Sequence, residues 1–233
     1  KVFSTPYDSW WCCVGTGLEN PTRYGELIYH HAPGTLWINQ YFASTLDWHD
    51  AGVHVTQQTC FPESDTIRIS FRCEQPTTFA LKLRHPAWCE HPALTLNGEP
   101  VPVTSAPSSY FTLDREWHDG DELVVRLPMA LRVEPLPHSG EKLSAVLCGP
   151  VLLAAVVPDE PGVASPAKER FSEHLAARGK TDALPPIFVA PDNAAVLTGL
   201  RPTGLAPLEF ASHDVVRPAD LAFVPLYRVY EEQ

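Results

Sequence analysis

The segment Leu36-Trp37-Ile38-Asn39-Gln40-Tyr41-Phe42 alternates between two sets of side chains. Successive side chains on a β-strand point to opposite faces, so a period of two is typical of a strand with one buried face. The segment follows Pro33-Gly34, a turn signal that ends a stretch with helical spacing. It therefore predicts that a β-domain begins at about residue 33.

The same period recurs through the next ninety residues. Apolar residues alternate with other residues at Val53 and Val55, Ile67 to Phe71, Phe79 to Leu83, Leu94 and Leu96, Phe111 and Leu113, and Leu123 to Leu127. Asn97-Gly98 and Asp119-Gly120 separate some of these runs and are strong hairpin signals. Short strands at this spacing predict an antiparallel β-sandwich over residues 33–134.

A second mainly β domain is predicted over residues 135–233, after the linker Pro135-Leu136-Pro137. Its expected strands are Leu143 to Leu147, Val151 to Val157, Ile187 to Val189, Ala195 to Leu197, Leu208 to Ala211 and Phe223 to Tyr230. Ser165 followed by Pro166 predicts the start of a short helix. We expect this domain to be truncated.

A helix is predicted at the other end of the chain, from Leu18 to His31. Leu18, Tyr24, Leu27 and His31 recur near helical spacing. At the end of such a helix, His30 and His31 would suit the helix dipole better than they would serve as metal ligands.

The composition excludes several classes of function. The 233 residues include 17 basic and 28 acidic side chains, which gives a net charge of −11. Nucleic-acid binding and anionic membrane surfaces require basic patches, so neither partner is expected. No apolar run approaches the roughly 20 residues of a membrane span. A bacterial-type soluble protein is expected, with cytoplasmic and periplasmic or secreted locations both left open.

The pair Cys12-Cys13 is the most unusual feature of the sequence. Neighbouring cysteines rarely close a disulfide on each other, because disulfide geometry is demanding. They can serve one metal ion if the chain turns sharply, which Gly15 and Gly17 would allow. The alternative is two buried thiols that act as small apolar residues beside Trp10 and Trp11.

Longer stretches carry a family resemblance. Trp11-Cys12-Cys13-Val14-Gly15-Thr16-Gly17-Leu18-Glu19-Asn20 resembles the catalytic-cysteine region of glycoside hydrolase family 127, the β-L-arabinofuranosidase family, with close relatives in family 146. Other similar stretches follow in order: Tyr24-Gly25-Glu26, Leu36 to Tyr41, Leu83 to Trp88, Trp117 to Leu123, Leu127 to Met129, Gly149 to Ala154, and Val224 to Tyr227.

The resemblance implies a fold and a mechanism. Residues 1–32 would be the C-terminal remnant of a catalytic (α/α)6 barrel, followed by the two β-sandwich domains. The parent would be a retaining glycoside hydrolase that releases terminal L-arabinofuranose or a similar sugar. Cys12 would be the nucleophile and a Zn²⁺ ligand, and Cys13 a second ligand.

The remaining groups of that site are expected upstream of this sequence. A glutamate and a third cysteine would complete the zinc site, and another glutamate would be the acid/base. We therefore expect this segment alone to be inactive and its partners to be the missing barrel and a carbohydrate. A homodimer is also left open.

Residues near the pair and elsewhere have competing interpretations. Glu19 and Asn20 could support the zinc site from its second layer, or could be first-turn helix residues favoured by the dipole. Four tryptophans could form a sugar-stacking platform, although core or interdomain positions are expected: Trp37, Trp48, Trp88 and Trp117. The other four cysteines are expected in the core, with a Cys60–Cys73 pair left open.

Two rival functions are kept. The first is a non-catalytic β-sandwich module that binds carbohydrate or has a structural role. The second is a redox dithiol or metal sensor, which the absence of a Cys-x-x-Cys motif and of a βαβ pattern disfavours.

Overall fold

The computed structural model describes residues 14–136, 144–156, 187–217 and 219–229. They fall mainly into two compact units, one of residues 16–130 and one of residues from 131 onward. The domain limits at residues 32 and 134 stay predictions. The predicted helix that begins at Ser165 lies outside the described residues.

The predicted N-terminal helix exists, but its limits differ from those expected. Helix α1 spans Val14–Arg23 and is followed by a 3-10 helix over Tyr24–Leu27. Strand β1 spans Tyr29–Ala32, so His30 and His31 lie in a strand and do not close a helix. Pairing of β1 with the next strand across a turn at Gly34, whose φ is 69°, overrides the helical spacing here.

The strands of the first unit form two sheets. They are β1, β2 (Thr35–Ile38), β3 (Ser44–Trp48), β4 (Val53–Thr59), β5 (Thr66–Cys73), β6 (Thr77–His85), β7 (Ala93–Leu96), β8 (Glu99–Val101), β9 (Ser109–Trp117) and β10 (Glu122–Arg126). One sheet has the order β1-β2-β6-β9 and the other β3-β4-β5-β10-β7-β8. Neighbouring strands are antiparallel except β2 and β6, which are parallel.

The alternating residues of the sequence form the core between these sheets. Ile67, Ile69, Leu81 and Leu83 are completely buried, as the period of two predicted. Phe71 packs on Trp117 from the opposite sheet with ring centroids 4.4 Å apart. Burial of large apolar side chains from both sheets supplies the main stabilisation of a sandwich.

The second unit is built on a six-stranded sheet with the order β11-β12-β13-β18-β16-β15. The described strands of the whole unit, including two outside this sheet, are β11 (Leu131–Pro135), β12 (Ser144–Cys148), β13 (Val151–Val156), β14 (Ile187–Phe188), β15 (Leu200–Pro202), β16 (Phe210–Ser212), β17 (Val216–Arg217) and β18 (Ala222–Pro225). Strands β14 and β17 form a separate pair, and Phe188 stacks on Phe223 of the large sheet at 5.8 Å. The prediction of a mainly β chain with antiparallel sheets is confirmed.

One strand prediction in this unit is wrong, and another is too long, because the strand expected over Phe223 to Tyr230 ends at Pro225 and is followed by a 3-10 helix over Leu226–Arg228. Residues 195–197 lie in helix α2, Asn193–Gly199, and not in a strand. Asp192 caps this helix, because its side chain accepts a 2.8 Å hydrogen bond from the backbone N–H of Ala195. Among the helices of the described ranges, none has the length and apolar character that crossing a bilayer requires.

Candidate functional site

Cys12 and Cys13 lie outside the described residues, so their assignment as nucleophile and zinc ligands stays a prediction. Helix α1 begins at the next residue, Val14. Within the described ranges, no group of three or more His, Cys, Asp or Glu side chains is arranged to hold a metal ion.

Glu19 and Asn20 are exposed in the second turn of α1. The amide of Asn20 donates a 3.0 Å hydrogen bond to the hydroxyl of Tyr24, one helical turn further on. The carbonyl of Glu19 accepts a 2.6 Å bond from the hydroxyl of Thr22. Because the helix starts at Val14, these residues do not occupy the first turn. A supporting role for them at a zinc site stays a prediction.

The expected core position of the tryptophans is confirmed for two of them. Trp117 is completely buried, and its indole N–H donates to the carbonyl of Phe79 at 3.1 Å. Trp48 is 8% exposed and packs edge-on against the ring of Phe79 at 5.3 Å. These contacts hold both indoles in fixed orientations, and only Trp48 retains a small exposed surface.

Trp37 and Trp88 are half-buried, and Trp88 packs against the edge of that core. The ammonium group of Lys82 lies 5.2 Å from the ring centroid of Trp37, within the range of a cation–π contact. Trp88 stacks on Phe61 with centroids 6.2 Å apart and an angle of 16°. With the positions of Trp48 and Trp117, these contacts do not produce a single sugar-stacking platform.

The described cysteines are free thiols, so no disulfide joins Cys60 and Cys73. Cys73, Cys89 and Cys148 are buried, as expected, and burial raises the pKa of each thiol. The core prediction is wrong for Cys60, which is exposed in the turn after β4, where its carbonyl accepts a 2.8 Å hydrogen bond from the backbone of Glu63.

Two clefts flank the hairpin that joins β3 to β4, and the sequence indicated neither. The smaller has a volume of about 260 Å³, and its lining includes Asp47, His49, His54, Arg72 and Glu74. The larger has a volume of about 440 Å³ and is named the Trp48 cleft. Its lining includes His31, Gly34, Trp48, Asp50, Thr78 and Phe79.

A line of polar side chains begins in the smaller cleft, at Asp47 and His54, and continues along the outer face of the sheet to Thr56. His54 Nδ1 donates to Asp47 Oδ1, and the hydroxyl of Thr56 lies 3.3 Å from His54 Nε2. The hydrogen bond from His54 holds the pKa of Asp47 below its ordinary value. Asp47 and His54 are directly opposite each other on β3 and β4, so this is a cross-strand pair.

The sequence could have indicated these clefts only if strand β3 had been predicted from it. Strand β3 was not predicted, because Ser44–Trp48 contains two polar residues and an acidic residue among its five. With β3 in place, the distance of Asp47 from His54 along the chain would have predicted their pairing across a short hairpin.

The sequence matches a known family over part of its length. Residues 35–129 match the family model described as beta-L-arabinofuranosidase, GH127 middle domain. Those residues contain β2 to β10, which form most of the first sandwich. No curated protein matches the chain.

Solved structures with a similar fold include members of the same family. A GH127 beta-L-arabinofuranosidase from Geobacillus stearothermophilus T6 has 26% identity and a TM-score of 0.56, and the match covers 64% of this chain and 25% of that one. A structure described as a glycoside hydrolase has 22% identity and a TM-score of 0.64, with 96% and 38% covered.

A further GH127 beta-arabinofuranosidase has 20% identity and a TM-score of 0.55, with 86% of this chain and 33% of that one covered. The last two likenesses show the fold alone. In all three comparisons the chain spans less than two fifths of the solved structure's length. The resemblance to glycoside hydrolase family 127 is therefore confirmed, through a middle domain of that family's β-L-arabinofuranosidases at residues 35–129.

Proposed function

We propose that the chain is the C-terminal part of a retaining glycoside hydrolase that releases terminal L-arabinofuranose or a similar sugar and depends on zinc and cysteine. The observation that carries this proposal is the match of residues 35–129 to the GH127 middle domain. The motif Trp11 to Asn20 lies just upstream of that domain and supplies the candidate nucleophile.

Cys12 is assigned as nucleophile and zinc ligand, and Cys13 as a second ligand. Two adjacent cysteines fit the preference of Zn²⁺ for thiolate ligands but provide only half of a tetrahedral set. The described residues offer no alternative set. The remaining ligands, a glutamate and a cysteine, are assigned to the upstream part of the parent protein. When bound, zinc would keep the thiols deprotonated near neutral pH.

The proposed reaction is a double displacement. The sulfur of Cys12 attacks the anomeric carbon, and the bond from that carbon to the leaving oxygen breaks. A glutamate of the upstream part protonates the leaving oxygen, as general acids do in retaining enzymes. The same glutamate then deprotonates a water molecule, whose oxygen displaces the sulfur and restores the original anomeric configuration.

The described residues have a supporting role in this proposal. Glu19, the acidic residue of the motif, is exposed on α1. The sandwich core is packed with apolar side chains, and two clefts that could hold a ligand lie at its surface. The acidic net charge of −11 supports a neutral carbohydrate as partner over a nucleic acid.

The alternative is a β-sandwich module that binds carbohydrate and takes no part in catalysis. The Trp48 cleft favours this alternative, because it combines aromatic and polar side chains on the surface of the first sandwich. The two functions differ in one requirement, since only the hydrolase needs a reactive thiol at Cys12.

The test uses the full-length parent protein and a chromogenic β-L-arabinofuranoside. We expect hydrolysis with retention, detected by NMR as the first sugar anomer released, and loss of activity to background in Cys12→Ser. Cys13→Ser should keep some turnover, since it removes only a ligand. Cys60→Ser is the matched control, because Cys60 is exposed and lies on the loop after β4. Full activity of Cys12→Ser, or release with inversion, would contradict the proposal.

A further inference from the structure

The Trp48 cleft has the size of a small-molecule site. Its volume of about 440 Å³ lies within the range of roughly 300–1,000 Å³ that is typical of ligand pockets. The cleft on the other side of the β3–β4 hairpin, at about 260 Å³, falls below that range. The Trp48 cleft is therefore the better candidate of the two for a ligand of more than a few atoms.

The aromatic part of this cleft is held rigidly before any ligand arrives. Trp48 contacts the ring of Phe79 edge-on at 5.3 Å, and the imidazole of His31 lies 5.9 Å from the indole at an angle of 47°. Trp48 is largely buried, so packing fixes its orientation. The small part of the indole that is exposed, 8% of Trp48, can therefore contact a ligand without an ordering cost.

The polar part of the cleft is free to bind a ligand. Asp50 is exposed on the 3-10 turn of the hairpin and has no ion-pair partner in the described part of the chain. Thr78 is also exposed, whereas the hydroxyl of Thr77 already donates to the carbonyl of Gln75 at 2.9 Å. One carboxylate and one hydroxyl therefore stand beside the aromatic surface.

The charge of the lining selects among ligand classes. No Lys or Arg of the described residues lines the Trp48 cleft, and Asp50 repels anions. Phosphates and carboxylates need several cationic or backbone donors, and a single imidazole, that of His31, beside the Asp50 carboxylate does not suit them. A neutral polyol suits it, because its hydroxyls donate to the carboxylate while its C–H groups contact the exposed ring of His31 and the exposed edge of Trp48.

We propose that the Trp48 cleft binds a neutral saccharide of one or two sugar units, with Asp50 accepting hydrogen bonds from its hydroxyls, and with the exposed ring of His31 and the small exposed edge of Trp48 contacting its C–H groups. The inference rests on the proposed function for the type of sugar, since an arabinofuranose-containing glycan is the substrate class in question. The binding itself requires only the residues of the first sandwich.

The experiment titrates the full chain with methyl β-L-arabinofuranoside and, separately, with inorganic phosphate. Binding is followed by amide shifts of Gly34, Asp50 and Ala51 in NMR spectra and by tryptophan fluorescence. We expect saturable shifts with the sugar and none with phosphate. Asp50→Ala should weaken sugar binding about tenfold, the size of effect expected for a hydrogen bond to a charged group.

Two further variants keep the test independent of folding. Asp114→Ala removes another exposed carboxylate, on β9, and should leave the sugar affinity unchanged. Trp48→Phe keeps an aromatic ring in the core and should weaken binding while the amide spectrum remains that of a folded protein.

The outcomes separate this inference from the proposed function. Hydrolysis by the parent protein without sugar-dependent shifts in the cleft would overturn the inference and leave the hydrolase in place. Sugar binding that Asp50→Ala abolishes, in a parent that hydrolyses no arabinofuranoside, would support the inference and overturn the hydrolase. Shifts with phosphate, or equal sugar affinity in Asp50→Ala and Asp114→Ala, would overturn the inference.

Discussion

Asn97 and Asp121 connect two hairpin turns of the first sandwich. The amide of Asn97 donates a 2.8 Å hydrogen bond to Asp121 Oδ1, and Asn97 Oδ1 accepts a 2.8 Å bond from the backbone N–H of Glu122. Asp121 Oδ2 also accepts a bond from the backbone N–H of His118 at 3.0 Å. The carboxylate is buried, so these bonds bring the turns at Gly98 and Gly120 together as one structural unit.

We expect Asp121→Asn to destabilise the first sandwich by about 1–3 kcal/mol. The NH₂ group of the new amide would face a donor, either the Asn97 amide or the backbone N–H of His118, in place of an acceptor. The measurement is urea unfolding followed by tryptophan fluorescence, since all the tryptophans precede residue 118. Asp114→Asn is the matched control, as that carboxylate is exposed on β9. Equal unfolding midpoints for the two variants would contradict the prediction.

The ionisation of Asp121 should also make the stability of the first sandwich depend on pH. Burial favours a higher pKa for Asp121, but the bonds from Asn97 and His118 and the charge of Arg115 outweigh it and lower the pKa. A lowered pKa gives stability that is present above the unfolded-state value of about 3.9 and is lost as the pH falls through the folded-state value. The difference between wild type and Asp121→Asn should therefore shrink below about pH 4.

Most of the first sandwich was predictable from side-chain alternation. Leu36, Ile38, Val53 and Val55 are buried because one face of each strand packs into the core. The exceptions have physical causes. Gln57 occupies a core position of β4, and Phe42 is exposed because β2 ends at Ile38.

The surface clefts could not be predicted in the same way. The Trp48 cleft combines residues near positions 31, 48 and 78, which meet because the ends of β1 and β3 lie close to the start of β6. The sequence indicated β1 as helix and did not indicate β3. A site made of short strand ends depends on register and pairing, which local periodicity does not contain.

Gly199 packs against Val215 in the second unit, with no space for a larger residue. A Cβ atom built on Gly199 would lie 2.4 Å from a methyl carbon of Val215. We expect Gly199→Ala to cost about 1–3 kcal/mol through overpacking. Hydrogen exchange of the Val196 amide, which donates to the Asp192 carbonyl, should report this loss as faster exchange.

Two further variants test the cause of that effect. Val215→Ala combined with Gly199→Ala should restore much of the protection, because the two residues are in contact and their effects do not add. Gly17→Ala should cost nothing, as no atom lies within 4 Å of its Cβ position. If the Val196 amide exchanged as fast in the double variant as in Gly199→Ala, steric overlap with Val215 would not be the cause.

Gln57 carries an unpaired acceptor in the core of the first sandwich. Its Nε2 donates to the hydroxyl of Tyr29 at 3.0 Å and lies 3.3 Å from the carbonyl of Gln40, but its Oε1 is buried without a hydrogen-bond partner. We expect Gln57→Glu to be more destabilising than Gln57→Leu at pH 7.5, because it buries a charge.

The pH dependence of this variant follows from the same burial. Burial raises the pKa of an introduced carboxyl, so its neutral form is favoured in the fold and the penalty grows as the pH rises above about 4.3. Unfolding of Gln57→Glu and Gln57→Leu is compared at pH 5 and pH 7.5. The gap between them should narrow at pH 5, and a gap that is independent of pH would contradict the burial of the charge.

The described cysteines should differ in reactivity with iodoacetamide. Cys60 is exposed, whereas burial raises the pKa of Cys73, Cys89 and Cys148 and blocks access to them. The thiolate is the reactive form, so Cys60 should be alkylated first under native conditions. Peptide mass mapping of a time course measures the order, and early labelling of Cys89 would show that its burial is not maintained.

A substrate-shaped reagent should instead separate Cys12 from Cys13 in the full-length protein. An epoxide-bearing analogue of β-L-arabinofuranose is expected to label Cys12 and to spare both Cys13 and Cys60. The reason is position, since neighbouring side chains diverge and only one sulfur can face the anomeric carbon. Cys60 is the internal control, because it reacts with small reagents but is not part of the proposed sugar site. Label on Cys13, or equal label on Cys60, would mean that the proposed roles of the two adjacent thiols do not apply to this protein.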